Sequence, residues 1–145
     1  MDDLEPDTVV SAVRLRPGDD LKQGIVALAR RENVEAGCVL ACVGSLTRAV
    51  VRFAGQAEAT TRNGPFEIVS LTGTVAQAGA VHLHICLTDS NGIAWGGHLM
   101  DGCAVYTTAE IVLARLPALQ FRRETDAQTG YAELVIETAQ TDYDG

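Results

Sequence analysis

Thr8 to Leu15 alternates loosely between apolar and polar positions and predicts a first strand. Pro17-Gly18-Asp19-Asp20 breaks that pattern, and Asp19 or Asp20 offers a short side-chain oxygen that can cap the next helix. Leu21, Ile25, Leu28 and Ala29 recur at i, i+4, i+7 and i+8, which predicts one apolar stripe on a helix ending near Glu32. Lys22, Gln23, Arg30 and Arg31 fall mostly on the other side, and the two arginines suit the negative end of the helix dipole. Gly24 weakens such a helix by up to ~1 kcal/mol relative to Ala, so its presence predicts close packing.

After Gly37 the period changes. Cys38–Val43 is a short apolar run and predicts a buried strand, punctuated by Gly44-Ser45. Arg48–Ala54 predicts a second strand, and the polar stretch Ala57–Asn63 predicts a loop or edge hairpin. Phe66–Val75 comes next, interrupted at Gly73, and Gly79 separates it from Ala80–Thr88. Asp89-Ser90-Asn91-Gly92 is a turn signal leading into Ile93–Leu99. Cys103–Leu116 predicts one long strand or a bent pair, ended by Pro117, and Phe121–Thr125 with Tyr131–Glu137 predicts a last hairpin. One helix followed by about seven strands indicates a single α+β domain, with a predominantly antiparallel sheet and the helix packed on it. The predicted domain spans residues 8–137, with 1–7 and 138–145 as acidic flexible tails.

The candidate chemistry lies in the second half of that sheet. His82 and His84 belong to Val81-His82-Leu83-His84-Ile85-Cys86-Leu87. With a side-chain period of 2, His82, His84 and Cys86 share one face, and Leu83, Ile85 and Leu87 face the core. Same-face neighbours stand about 7 Å apart at Cα, within reach of one ion. Antiparallel pairing around residues 90–91 places His98 near residue 83, give or take one register step. Gly96-Gly97 leaves room beside it. Three neutral imidazoles with an open fourth position suit Zn²⁺ or a similar divalent ion, so His82, His84 and His98 are the candidate metal ligands. The alternative is three histidines satisfied by hydrogen bonds at a surface or subunit contact. Cys86 could add a thiolate but reads more simply as a small hydrophobe. Asp89 reads as turn chemistry. Glu67 and Glu110 could orient a histidine or act as a base, although ion pairs with Arg48, Arg52 or Arg115 are the expected use. Trp95 reads as core or interface rather than pocket lining.

Charge narrows the partners. The chain has 145 residues, is 47 % hydrophobic and carries a net charge of −8. Four carboxylates fall in residues 1–10 and six in 124–145, whereas 11–123 hold 9 acidic and 11 basic residues. A nearly neutral body with acidic ends is a poor footprint for phosphate. No apolar run approaches the ~18–20 residues that span a bilayer, and the acidic start does not resemble a secretory signal. A cytoplasmic location, with no membrane contact, is the expectation. Cys38, Cys42, Cys86 and Cys103 form no CxxC, and Cys38 and Cys42 would stand about 13 Å apart on one strand, so reduced, buried thiols are expected.

Several motifs occur in order along the chain: Arg14-Leu15-Arg16-Pro17-Gly18-Asp19-Asp20-Leu21, Val43-Gly44-Ser45-Leu46, Gly64-Pro65-Phe66-Glu67-Ile68-Val69-Ser70-Leu71-Thr72-Gly73, His82-Leu83-His84-Ile85, Asp89-Ser90-Asn91-Gly92, Gly96-Gly97-His98-Leu99 and Gly102-Cys103-Ala104-Val105-Tyr106-Thr107-Thr108-Ala109-Glu110. Together they resemble the PPC domain (plants and prokaryotes conserved, also written PCC) in its free-standing prokaryotic form. The resemblance implies an α+β domain that assembles as a homotrimer, with a metal site on His82, His84 and His98. It also carries the family's DNA-binding label, which in plant members accompanies an AT-hook. Here Arg14-Leu15-Arg16-Pro17 has leucine where such a hook needs glycine, and Asp19-Asp20 come after it, so direct DNA binding is not expected. Where family members often carry a small hydroxyl residue, this chain has Cys86. Three functions remain open: a trimeric metal-binding module, a metal-dependent enzyme acting on a small molecule, and a DNA-associated regulator.

Overall fold

The computed structural model describes residues 8–140. The chain runs β1 (Val9–Leu15), α1 (Leu21–Arg31), β2 (Ala36–Arg52), β3 (Thr60–Ala76), a 3-10 turn (Gln77–Gly79), β4 (Ala80–Thr88), β5 (Ala94–Leu99), β6 (Ala104–Arg115), β7 (Leu119–Thr125) and β8 (Ala132–Thr138). Six strands form one sheet in the order β1-β6-β2-β3-β4-β5, and β7-β8 is a separate hairpin. Every pairing is antiparallel.

The helix forms where its apolar period and its cap agree. Asp20 Oδ1 accepts from the Gln23 N–H at 2.9 Å, which satisfies one of the free donors of the first turn. Leu21, Ile25, Val26, Leu28 and Ala29 are buried, and the stripe joins the main core with Leu46, Val51, Leu83, Leu87, Leu99 and Ile111. Gly24 does mark close packing, since a Cβ there would press into the Leu15 side chain.

Three expectations are corrected. Cys38–Val43 and Arg48–Arg52 belong to one 17-residue strand, β2, which Gly44-Ser45 does not break and which ends before Phe53 and Ala54. At Gly44 the neighbouring strand comes so close that a Cβ would collide with the Thr108 carbonyl oxygen. Thr60–Asn63 is strand rather than loop, paired with Arg48–Val51. The final strand reaches Thr138, and Ala139 N–H donates to the Ala118 carbonyl at 3.0 Å, so the domain extends past residue 137. Residues 1–7 and 141–145, the rest of the expected tails, lie outside the described residues.

β2 is long enough to bend and to serve several neighbours. Its register shifts against β6 between Val39 and Ala41, Gly44 and Leu46, and Leu46 and Arg48. Such bulges bend a strand and increase its twist. The bent end then pairs Val51 with Leu99 and Arg52 with His98 on β5, so β2, β3, β4 and β5 close on themselves. The β7-β8 hairpin docks through a second apolar cluster in which Phe121 meets Ala36 and Ala76, while Phe121 N–H donates to the Glu35 carbonyl at 3.0 Å.

Asp20 joins helix and sheet. Besides its cap, Oδ2 accepts from the Gly102 N–H at 2.6 Å, which ties the turn between β5 and β6 to the start of α1. Asp20→Ala removes both bonds, and we expect a loss of about 1–3 kcal/mol in urea unfolding, more than a cap alone would cost.

Candidate metal centre

Strand register assembles the site. Thr72 on β3 pairs with His84 on β4, His84 pairs with His98 on β5, and His98 pairs with Arg52 on β2. One lateral row therefore crosses four strands. His82 lies two residues along β4, opposite Thr74. Leu83, Ile85 and Leu87 are buried, as the period of 2 demands, so the histidines point outward. The turn is longer than Asn-Gly pairing suggests. Thr88 pairs with Ala94, and Asp89 Oδ1 accepts from the N–H groups of Asn91 and Ile93 at 2.8 and 2.9 Å. This places His98 opposite residue 84 rather than 83, and that one step brings it onto the histidine face.

The three rings meet. Centroid separations are 5.0 Å for His82–His84, 5.1 Å for His82–His98 and 5.6 Å for His84–His98. One nitrogen from each lies within 4.8 Å of the other two. Nitrogens bound at about 2.1 Å to one tetrahedral ion stand about 3.4 Å apart, a gap that small rotations of exposed rings can close. Among the described residues none hydrogen-bonds any of the three rings. They are held by backbone register and by one another, and their nitrogens remain free to act as ligands. Gly96, on the same face as His98, permits the close approach of β5 to β4, because a Cβ there would collide with the Ile85 carbonyl oxygen.

Burial and nearby charge keep two of the rings, His82 and His98, ready to bind. Burial pushes the His98 pKa down from 6.5 to about 4, with help from His82 and Arg52. Burial also lowers that of His82, and His84, Arg123 and Arg52 act in the same direction. A neutral imidazole can bind a metal and a protonated one cannot.

Other residues singled out from the sequence stand apart. Cys86 is half-buried and is not one of the converging ligands. Cys38 is also half-buried, so only Cys42 and Cys103 are the buried thiols expected, and burial raises the Cys42 pKa to about 11. Glu67 and Glu110 are exposed, and among the described residues neither forms the expected ion pair. Trp95 faces the core side, edge-on to Phe53 and Phe66, with Arg62 stacked 4.4 Å from its ring centroid. Arg14 is in β1 and donates to Thr108 Oγ1 at 3.0 Å, while Leu15 beside it is buried. Sequence reasoning missed Arg123 and the place of Arg52, since only the closure of β2 on β5 and the docking of β7 reveal them.

Residues 5–117 match the Plants and Prokaryotes Conserved (PCC) domain. The chain belongs to this family. It is 48 % identical over 125 residues to a Bifunctional protein GlmU of Synechococcus sp. (strain JA-2-3B'a(2-13)), a match that covers 86 % of this chain. The chain spans only about a fifth, 20 %, of that relative's length. A hypothetical protein of Salmonella shares the PCC fold at a TM-score of 0.88 with 39 % identity, over 92 % of this chain and 96 % of that one. A metal-containing protein of Archaeoglobus fulgidus superimposes at a TM-score of 0.73 with 26 % identity, over 88 % and 93 %. No helix of this PCC domain is long and apolar enough to cross a membrane, among the described residues.

Two outcomes test the site's construction. Gly96→Ala forces β4 and β5 apart and should cost about 1–3 kcal/mol in urea unfolding. In the metal-free chain, the unfolded state takes up the His98 proton near pH 6.5 and the folded state only near pH 4. The folded chain is thus at no disadvantage above pH 6.5 and loses stability as pH falls toward 4. Unfolding midpoints of wild type should fall more across that window than those of His98→Gln.

Proposed function

We propose that this PCC domain holds one divalent, zinc-like ion on His82, His84 and His98, and that it works as a homotrimer. The observation that carries the reading is the convergence of three imidazole nitrogens within 4.8 Å, unpartnered by any described residue. A ring of three such nitrogens matches the ligand set and open position of zinc sites that bind further ligands. The relative from Archaeoglobus fulgidus, described as metal-containing, supports it. The trimer is supported by exposed apolar side chains on the sheet, Val10, Leu40, Val43 and Val69, which a second copy would cover.

A metal-dependent activity on a small molecule is the second reading, favoured by one observation. A cleft of about 900 Å³ opens onto His82 and His98. A divalent ion there would supply Lewis acidity toward an oxygen ligand. The chain's own residues would exclude bulk water from one side and orient the bound molecule. Direct DNA binding has no comparable support, because Arg14 is engaged on β6 and the hook-like segment is split between the end of β1 and a turn at Pro17.

Metal analysis of the purified chain tests the first reading. We expect about one ion per chain in wild type and its loss in His82→Ala/His84→Ala, with the fold retained by circular dichroism. Absence of metal from wild type after incubation with zinc ends the reading. Light scattering tests the trimer, which should show three times the 15.4 kDa chain mass.

A further inference from the structure

The cleft beside the triad carries more positive charge than a structural metal site needs. His82 and His98 contribute to its wall, and so do two guanidinium groups, Arg52 and Arg123. They arrive from distant parts of the chain. Arg52 is the register partner of His98 where β2 closes on β5. Arg123 is on the docked hairpin, and its Nη2 donates to Thr74 Oγ1 at 3.2 Å, beside His82.

Neither arginine is neutralised. Among the described residues no ion pair involves Arg52 or Arg123. Arg52 Nη1 donates to the Gln56 carbonyl at 3.3 Å, and the rest of its fork is unused. Arg122, the sequence neighbour of Arg123, is by contrast taken up by Glu124 and by Glu137 at 2.8 Å. Among the described residues Glu133 is the one carboxylate on the cleft wall, and it accepts from Thr129 Oγ1 at 3.0 Å. Two cations thus face one anion before any metal is added.

Both arginines also stand beside the triad, Arg52 in register with His98 and Arg123 bonded to Thr74 opposite His82. Cations so placed oppose the binding of a further cation. An anion lying between the metal and the guanidinium pair turns that repulsion into attraction on both sides. The planar fork of arginine matches a carboxylate. The open position left by three histidines suits a second oxygen. A cleft of about 900 Å³ is the size of a small-molecule site.

We propose that the cleft binds a small organic dianion, with one carboxylate at the metal and its other anionic end held by Arg52 and Arg123. The proposal rests on the metal reading above. Glu133 on the wall favours a compact ligand, because a longer anionic chain would run against it.

The test uses the full chain loaded with zinc, and zinc content is measured before each titration. Malonate and inorganic phosphate are the probes, with binding read by calorimetry. We expect malonate to bind wild type and to bind Arg52→Gln/Arg123→Gln about tenfold more weakly or worse, with zinc stoichiometry unchanged. Arg122→Gln, which alters a neighbouring charge outside the cleft, should bind malonate as wild type does. Zinc-loaded wild type that takes no malonate, or a double arginine variant that takes it equally well, overturns the proposal. Phosphate binding more tightly than malonate overturns the carboxylate assignment. A wild type that holds no zinc overturns the metal reading itself, and the zinc measurement distinguishes that failure from the others.

Discussion

Backbone register across β3, β4, β5 and β2 is the constraint on which the site depends. In an antiparallel sheet a lateral row shares one face, and a slip of one residue turns a side chain to the opposite face. Thr72, His84, His98 and Arg52 occupy one such row. The five residues between Thr88 and Ala94 set it, and Asp89 fixes their shape by accepting two backbone N–H groups. A turn one residue shorter or longer would put His98 opposite Leu83 or Ile85, which face the core. The apolar alternation of β4 therefore specifies the candidate metal ligands as strongly as it specifies the core.

Side-chain contacts contribute little to holding the triad. The rings make no hydrogen bond with a described residue, and burial disfavours the protonated forms of His82 and His98. Such groups are kept neutral and unpartnered at some expense to the metal-free fold. Stability comes from elsewhere, chiefly the continuous core beneath the sheet and the Asp20 tie between α1 and the turn at Gly102. The buried core of the molecule thus lies directly under the three histidines.

Much of this was legible in the sequence, because short-range periodicity governs it. The α1 stripe, the Asp20 cap, the inward Leu83, Ile85 and Leu87, and the shared face of His82 and His84 all come from local spacing. The errors came where long-range geometry outweighs local signals. Gly44 looked like a break, but in β2 it is a point of close approach between strands. Ala57–Asn63 looked like a loop or edge hairpin because its residues are polar, and Thr60–Asn63 does pair with the far end of β2, but in a strand inside the sheet rather than at its edge. Glu67 and Glu110 were expected to pair with arginines, and no local pattern could reveal that they face outward alone. Arg52 and Arg123 carried no motif at all, since their meeting depends on a bent strand and a docked hairpin.

The PCC match ends at residue 117, just before that hairpin begins at Leu119. The histidines lie inside that stretch, whereas Arg123, Tyr131 and Glu133 come from the hairpin that follows it. The candidate ligands and the cations beside them are therefore encoded in separate stretches of the chain. Substitutions in the hairpin can reshape one wall of the cleft without touching the strands that carry the three imidazoles.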